Sequence, residues 1–329
     1  MGMLELITPP RRPAEAVNRA LLPVGAVLNG PLAGFTNAMR ATVTDRVTNT
    51  MGNRVGLPGV QYTDPVGDPG LFGPDSVTWR VFADFPCMFM GGISSLFLQA
   101  LHPGVMAGVA DHSDYRSDPQ ARLARTGSFV AGTAYGSTEV AERLIGTVRA
   151  LHNKVVGTRP DGIPYEANDP DHLAWVHVTE VGQFLRSYQR YSGRALSPAD
   201  VDQYYAETSI IGRELGGTNI PMSAVEVRDF YRRMRPELAV FDQARDTIAW
   251  LLDPPGAKGA EAAVYQVMVA AAIGLMPRWA HPVAELAFDP IRHGAVVEPT
   301  AALVANALRW SMGVSPVVAE ARARVGVAA

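Results

Sequence analysis

His152 is the residue with the clearest potential for chemistry, because it lies on the apolar face of a predicted helix. The segment 137–157, STEVAERLIGTVRALHNKVVG, spaces its apolar side chains at steps of three and four, which predicts one amphipathic helix. An imidazole directed at a core needs a partner for each ring nitrogen. A metal, in particular a haem iron, is one such partner and a backbone carbonyl is another, so this helix alone leaves both open.

The predicted helix has recognisable ends and a continuous apolar stripe. Ser137 is the expected N-cap, and Gly157 is the expected stop. The stripe that should face the core consists of Val140, Leu144, Ile145, Val148, Leu151 and Val155.

Composition limits the classes of protein that this chain can be. With 329 residues, 47% of them hydrophobic and 19% charged, the chain has an ordinary globular balance. The formal net charge of -3 leaves no basic footprint, so no nucleic-acid partner is expected. The single cysteine, Cys87, excludes an internal disulfide framework and any multi-cysteine zinc or iron–sulfur site.

Neither a signal peptide nor a transmembrane span is expected. Glu5 stands where a basic region would precede a secretory core, and two prolines follow it closely. The apolar stretches Phe85–Leu101 and Ala262–Met276 are too short or too polar, since a span needs roughly 20 predominantly apolar residues. We therefore expect a cytoplasmic protein, with peripheral membrane association left open.

The periodicity along the chain predicts an all-α fold with a single large helical domain. Residues 73–315 carry one helical pattern after another, and no convincing run of strand alternation interrupts them. Residues 1–72 are expected to form an N-terminal arm and loop-rich lead-in, with a weak helix at 31–51. Residues 316–329 are expected to form a C-terminal tail. Ser223 and Glu226 predict a capping box at the start of a helix over 224–234.

The chain lacks the common catalytic signatures but carries a specific string of short motifs. There is no GxSxG, GxxxxGK[ST], HExxH or GxGxxG. In order and spacing the string resembles the family of latex-clearing protein (rubber oxygenase) and the fungal MpaB oxygenase, over roughly residues 73–245 with a weaker continuation to about 310. The motifs are GPDSVTWR at 73–80, HPGVMAGVADHS at 102–113, RLART at 122–126, VRALHNKVVG at 148–157, YEANDP at 165–170 and WVH at 175–177.

The resemblance implies an all-α fold, globin-like in character, built around one buried b-type haem. In the family a single proximal histidine stands in H-x-x-V-x-G, which here is His152, Val155 and Gly157. The family also has an arginine at the position of Arg149, which would contact a haem propionate or a buried carboxylate. His112 matches the G-V-x-x-H-S stretch and would line the cofactor pocket or cap the following helix.

The resemblance assigns the distal side of the haem to the RLART segment. Arg122 and Thr126 are four residues apart, so they share a helix face, and together they could polarise dioxygen or a peroxide. The alternative roles are a surface ion pair for Arg122 and a hydroxyl bonded back to its own helix for Thr126. Arg125 replaces the lysine of rubber-cleaving members, and the resemblance places it among the cofactor-binding residues. It cannot ligate iron, because a guanidinium has no lone pair to offer. Val156 likewise replaces an arginine, so both departures argue against rubber cleavage itself.

Two functions from different classes are compatible with these motifs. The first is a haem-dependent oxygenase acting on an apolar, isoprenoid or other lipid-like small molecule, with dioxygen or peroxide as co-substrate. The second is a non-catalytic helical protein that binds haem or an apolar ligand. The sequence leaves the substrate and the oligomeric state open.

Overall fold

Short polar side chains and prolines set the helix starts in this protein. The computed structural model describes residues 60–254 and 258–327. The side chains of Ser76, Ser137 and Ser197 each accept a hydrogen bond from a first-turn backbone N–H, which satisfies a donor that the helix leaves unpaired. At Ser197 the cap is reciprocal, because the Asp200 carboxylate also accepts from the Ser197 N–H at 2.8 Å.

The elements follow one another with short connections. The first half contains α1 (Val77–Phe82), α2 (Phe85–Gln99), α3 (Pro103–His112), α4 (Pro119–Tyr135), α5 (Thr138–His152), β1 (Val156–Thr158), β2 (Pro164–Glu166) and α6 (Pro170–Tyr191). The second half contains α7 (Pro198–Glu214), α8 (Ala224–Met234), a 3-10 turn (Arg235–Glu237), α9 (Asp242–Leu252), α10 (Gly259–Leu275), α11 (Ala280–Val283), α12 (Pro290–Arg292), a π-helical turn (His293–Val297), α13 (Glu298–Met312) and α14 (Pro316–Arg324).

The all-α prediction is confirmed, with one local correction. The predicted helix over 137–157 ends at His152, and Val156–Thr158 instead pairs antiparallel with Pro164–Glu166, Gly157 lying opposite Tyr165. Strands of three residues are too short for alternation to be visible in a sequence. The predicted buried stripe is also wrong at Leu151, which is 57% exposed.

The core is built on the contact between α2 and α6, the most extensive between any two elements. Gly91 of α2 allows this approach, because a Cβ atom there would lie 2.7 Å from the Gln183 carbonyl oxygen. Large side chains of α6 and α7, including Trp175, Tyr188 and Tyr204, are fully buried around this contact. The result is a largely buried central helix, α6, which also carries Glu180 of the site described below.

Two arginines, Arg324 buried and Arg309 half-buried, tie distant parts of the chain together. Arg309 of α13 donates to both carboxylate oxygens of Asp84, at 2.9 and 3.0 Å, and to the Tyr191 carbonyl at 2.8 Å. Arg324 of α14 is 1% exposed and donates to four backbone carbonyls, those of Tyr62, Asp68, Tyr135 and Gly136.

Cys87 is a free, buried thiol, as the composition predicts. It accepts a hydrogen bond from Arg309 Nη2 at 3.3 Å, and burial raises the pKa of the thiol well above its usual value.

Several predictions concern the limits of the domain. The arm over residues 1–30 and the weak helix at 31–51 lie outside the described residues, and the domain limits at 72/73 and 315/316 stay predictions.

Within the described ranges, no single helix is long and apolar enough to cross a bilayer. The one pair of helices that together has the length and composition of a span, α2 with α3, is bent by 106°. The capping box at Ser223 is half present, since Glu226 Oε2 accepts from the Met222 N–H at 2.7 Å rather than from Ser223.

Candidate functional site

His152 is the last residue of α5 and is half-buried. Its Nδ1 atom is buried, and neither ring nitrogen has a hydrogen-bond partner in the part of the chain that the structure describes. Burial lowers the pKa of this imidazole, and the charge of Arg122 lowers it further. At neutral pH the ring is therefore uncharged and retains the lone pair that a metal ligand needs.

The residues after His152 hold this helix end in place. The Val155 N–H donates to the His152 carbonyl at 2.9 Å, which turns the chain into β1. A Cβ atom at Gly157 would lie 2.6 Å from the Tyr165 hydroxyl, so only glycine fits there. That hydroxyl donates to Asp111 Oδ2 at 2.6 Å, which fixes the hairpin against α3. The turn at Val155 and the close packing at Gly157 thus hold the end of α5, where His152 lies.

Arg122 lies near His152, because its charge lowers the pKa of that imidazole, and we call the region around the two side chains the cleft. The Arg122 side chain is exposed to solvent, yet protein surrounds the guanidinium closely enough that burial lowers its pKa, and the charge of Arg125 lowers it further. Arg122 and His152 are therefore near one another, while a distal role for Arg122 stays a prediction.

Glu180 is a residue of this cleft that the sequence reasoning missed. On α6, which is otherwise mostly buried, His172, Val176 and Glu180 form a half-exposed line at steps of four residues. Burial raises the pKa of Glu180 to about 7, and the nearby charge of Arg122 opposes part of that rise. The sequence did contain a signal, because Glu180 lies among the apolar positions of WVHVTEV, where an acidic residue is unusual.

The other residues of the RLART segment point to more ordinary roles. The Thr126 hydroxyl donates to the Arg122 carbonyl at 3.1 Å, the back-bonded alternative. Arg125 Nη2 lies 2.5 Å from Asp114 Oδ1, and both side chains are about half exposed. Arg125 is therefore paired at the surface, while Arg122, three residues earlier, carries the charge that reaches His152 and Glu180.

Arg149 and His112 lie around the same helix end. The Arg149 side chain is exposed, and its carbonyl accepts a hydrogen bond from Asn168 Nδ2 at 3.3 Å. His112 Nε2 lies 3.2 Å from the Val156 carbonyl oxygen, and its ring meets Tyr165 edge-on. His112 thus contacts the strand that follows His152. A cofactor-binding role for either residue stays a prediction.

Replacing Glu180 by glutamine should stabilise the folded protein in a pH-dependent way. The native pKa of about 7 lies above the unfolded value near 4.5, so the penalty for the buried charge is absent below about pH 4.5 and complete above about pH 7. We expect Glu180→Gln to raise the free energy of unfolding on the order of 2 kcal/mol at pH 8 and little at pH 4.5. Urea denaturation across this range measures it. Exposed Glu142→Gln is the control, and parallel pH profiles for the two variants would contradict the assignment.

The cleft therefore combines an uncharged imidazole, a guanidinium and a carboxyl group that is half-protonated near neutral pH. In residues 60–254 and 258–327, no group of three or more histidine, cysteine, aspartate or glutamate side chains could hold a metal ion. A metal in this cleft would have to receive most of its ligands from a non-protein group.

The class of enzyme follows from comparison with known families. The family model described as "ER-bound oxygenase mpaB/B'/Rubber oxygenase, catalytic domain" matches residues 79–310, well over half of the chain. The protein is therefore an oxygenase, which decides for an enzyme over a non-catalytic binding protein. The chain belongs to this family of mpaB-type and rubber oxygenases, and the resemblance found in the motifs is confirmed. No curated protein and no solved structure matches this chain.

Proposed function

We propose that this oxygenase uses one b-type haem with His152 as its protein ligand, and that it oxidises an apolar small molecule with dioxygen or peroxide. The observation that carries the proposal is the imidazole of His152, which is half-buried, uncharged and without a hydrogen-bond partner in the described chain. A buried polar atom in that state is costly unless a ligand satisfies it.

The residues present fit a haem. A porphyrin supplies four nitrogen ligands, so a single histidine is enough and no cluster of protein ligands is needed. When bound, the haem would supply the oxygen-activating chemistry, and the protein would supply binding, orientation and electrostatics.

Exposed apolar side chains next in sequence to His152 and Arg122 support an apolar ligand and substrate. Leu151 precedes His152 and is 57% exposed, and Leu123 follows Arg122 and is 45% exposed. Covering such surface stabilises a complex by roughly 25 cal/mol per Å². An isoprenoid or other lipid-like small molecule is the substrate class that such exposed apolar surface favours.

The polar residues of the cleft have separable tasks in this proposal. Arg122 holds a fixed positive charge that stabilises negative charge developing on a bound oxidant or substrate oxygen. Glu180 holds a proton near neutral pH and can donate or accept it within the same cleft. His152 stays neutral beside Arg122, so protonation does not compete with ligation at pH 7.

An absorption spectrum of the purified full-length protein tests the proposal. After reconstitution with haemin we expect a Soret band, one haem per chain by pyridine haemochrome, and a shifted band on adding dithionite and carbon monoxide. Oxygen uptake with a panel of isoprenoid and fatty-acid substrates then tests turnover. A folded protein that shows no Soret band after reconstitution would overturn the haem assignment.

Arg122→Ala should slow turnover strongly while the haem stays bound. Removing one preorganised charge from an active site typically lowers kcat by about 10²–10³-fold. Arg125→Ala is the matched control, because its guanidinium is paired with Asp114 at the surface, and we expect near-normal turnover and an unchanged spectrum. Thr126→Val should cost less than Arg122→Ala, since the hydroxyl is bonded to its own helix. Steady-state oxygen consumption on haem-matched samples measures these effects. Equal losses of turnover in Arg122→Ala and Arg125→Ala would contradict the separate roles given to the two arginines.

A further inference from the structure

Asn168 joins the end of α5 to the start of α6. It follows β2, and the next residue, Asp169, is the N-cap of α6. The amide nitrogen of Asn168, Nδ2, donates to the Arg149 carbonyl at 3.3 Å and to Asn153 Oδ1 at 2.7 Å. Arg149 lies three residues before His152 and Asn153 lies one residue after it. The amide is therefore held at the same helix end as the imidazole.

The orientation of the Asn168 amide is fixed by its partner. A carbonyl oxygen accepts hydrogen bonds and cannot donate them, so the amide atom that faces the Arg149 carbonyl is the nitrogen. The oxygen, Oδ1, is the atom that remains. It is buried, and no donor reaches it within the described chain. A buried acceptor without a donor is costly, so this oxygen has a hydrogen bond still to gain.

His152 presents the complementary atom. Its Nδ1 is buried and has no partner in residues 60–254 and 258–327. A neutral imidazole that gives its Nε2 lone pair to a metal carries its proton on Nδ1, and ligating histidines almost always donate that proton to an oxygen. The backbone carbonyls at this helix end already accept other hydrogen bonds, Arg149 from Asn168, Leu151 from the Lys154 N–H at 3.1 Å and His152 from the Val155 N–H at 2.9 Å.

We propose that Asn168 is a positioning residue for His152, whose Nδ1–H donates to the side-chain oxygen of Asn168. This inference rests on the proposed function, in which Nε2 of His152 is the iron ligand. One hydrogen bond would satisfy two buried atoms that have no partner. The two atoms are not bonded in the structure, so the side chains must turn toward each other, a motion of nanoseconds or less in solution. The bond fixes the tautomer and the plane of the ring and raises the basicity of Nε2.

The tautomer of His152 in the cofactor-free, full-length chain tests this hydrogen bond by itself. Labelling histidine with 15N separates protonated from unprotonated ring nitrogens in NMR spectra, and the spectrum of His152→Ala identifies the signals of this residue. At neutral pH we expect the Nδ1–H tautomer in the wild type and a shift toward Nε2–H in Asn168→Ala. An Nε2–H ring in the wild type, or the same tautomer in both proteins, would overturn the proposal whether or not the chain binds haem.

Haem affinity and midpoint potential provide a second measurement on reconstituted protein. Loss of an outer hydrogen bond to a metal ligand typically lowers affinity by about 10–100-fold, which is the loss we expect for Asn168→Ala. The midpoint potential should rise, because a less basic imidazole stabilises ferric iron less. Wild-type affinity and potential in Asn168→Ala would overturn the positioning role. If instead the wild type showed the expected tautomer but bound no haem, the proposed function would fail and the hydrogen bond would stand.

Two variants distinguish an acceptor from an amide that only holds the helix end. Asn168→Asp keeps an oxygen for the imidazole but loses the donor to the Arg149 carbonyl. We expect it to restore the Nδ1–H tautomer and to lower the potential below that of the wild type, because a carboxylate is the stronger acceptor. Asn153→Ala removes the 2.7 Å bond but leaves Oδ1 of Asn168 in place, so haem affinity should stay near that of the wild type. An aspartate variant as weak as Asn168→Ala would contradict the acceptor role.

Ser113→Ala is the control for a different acceptor. Ser113 is the C-cap of α3, and its hydroxyl oxygen is also buried without a partner among the described residues. We expect the wild-type tautomer of His152 in this variant. A tautomer change in Ser113→Ala, with none in Asn168→Ala, would assign the acceptor to Ser113 and overturn the proposal.

Discussion

His152→Ala should leave a folded protein that no longer holds haem stoichiometrically. The imidazole is the only protein ligand in the proposed site, and its removal takes no hydrogen bond from the rest of the described chain. Stability should therefore fall by no more than about 1 kcal/mol, the ordinary cost of a half-buried substitution. The Soret intensity per chain after gel filtration of reconstituted protein measures the loss.

Lys154→Ala is the matched control, because this exposed residue lies two positions after His152 at the same helix end. It should retain one haem per chain and the wild-type spectrum. Addition of imidazole to His152→Ala should partly restore the Soret band, since the free base can enter the space that the side chain leaves. Full haem occupancy with an unchanged spectrum in His152→Ala would refute the ligand assignment.

Arg324→Ala should destabilise the protein by about 3–5 kcal/mol, among the largest losses from a single substitution. The side chain is 1% exposed and donates to four carbonyl oxygens at 2.7 to 3.2 Å. Removing it leaves those acceptors buried without a donor, and each unsatisfied group costs about 1–3 kcal/mol before water enters. Chemical denaturation at pH 7 measures the change.

Arg322→Ala provides the comparison for Arg324→Ala on the same helix. Its side chain is only half-buried, so we expect a loss of at most about 1 kcal/mol. Arg324→Lys should fall between the two, because an ammonium keeps the charge but cannot reach acceptors in several directions as a guanidinium does. If Arg324→Ala hardly changed the free energy of unfolding, water would have to replace the guanidinium at little cost.

The helical architecture and the position of His152 could be predicted because they depend on local periodicity and caps. The serine N-cap of α5 and the all-α class follow directly from the sequence pattern. The end of α5 could not be predicted, because it is set by pairing of Gly157 with Tyr165 and by the Tyr165–Asp111 hydrogen bond across 54 residues. The exposure of Leu151 could not be predicted either, because the residue fits the apolar stripe of the helix whether or not another element packs against it.

The cleft itself lay beyond sequence reasoning for the same physical reason. The pKa of Glu180 is set by burial within the fold and by the charge of Arg122 on a different helix. Motif matching placed Arg122 and Thr126 together but could not separate a side chain in a cleft from one bonded back to its own helix. Likewise, PVVAEARAR at 316–324 reads as a polar tail, whereas the four acceptors of Arg324 come from residues 188 to 262 positions away.

The contacts of Arg309 bear on how fast the protein unfolds. Its carboxylate partner, Asp84, is 225 residues away along the chain, and the Tyr191 carbonyl is 118 residues away. Contacts that close such long loops cost the most chain entropy, so they should be absent from the folding transition state. We therefore expect Arg309→Met to have a low φ-value, with a faster unfolding limb in stopped-flow denaturation and a nearly unchanged refolding limb. In that case the ion pair between Arg309 of α13 and Asp84, which precedes α2, slows unfolding and thereby sets the lifetime of the folded state.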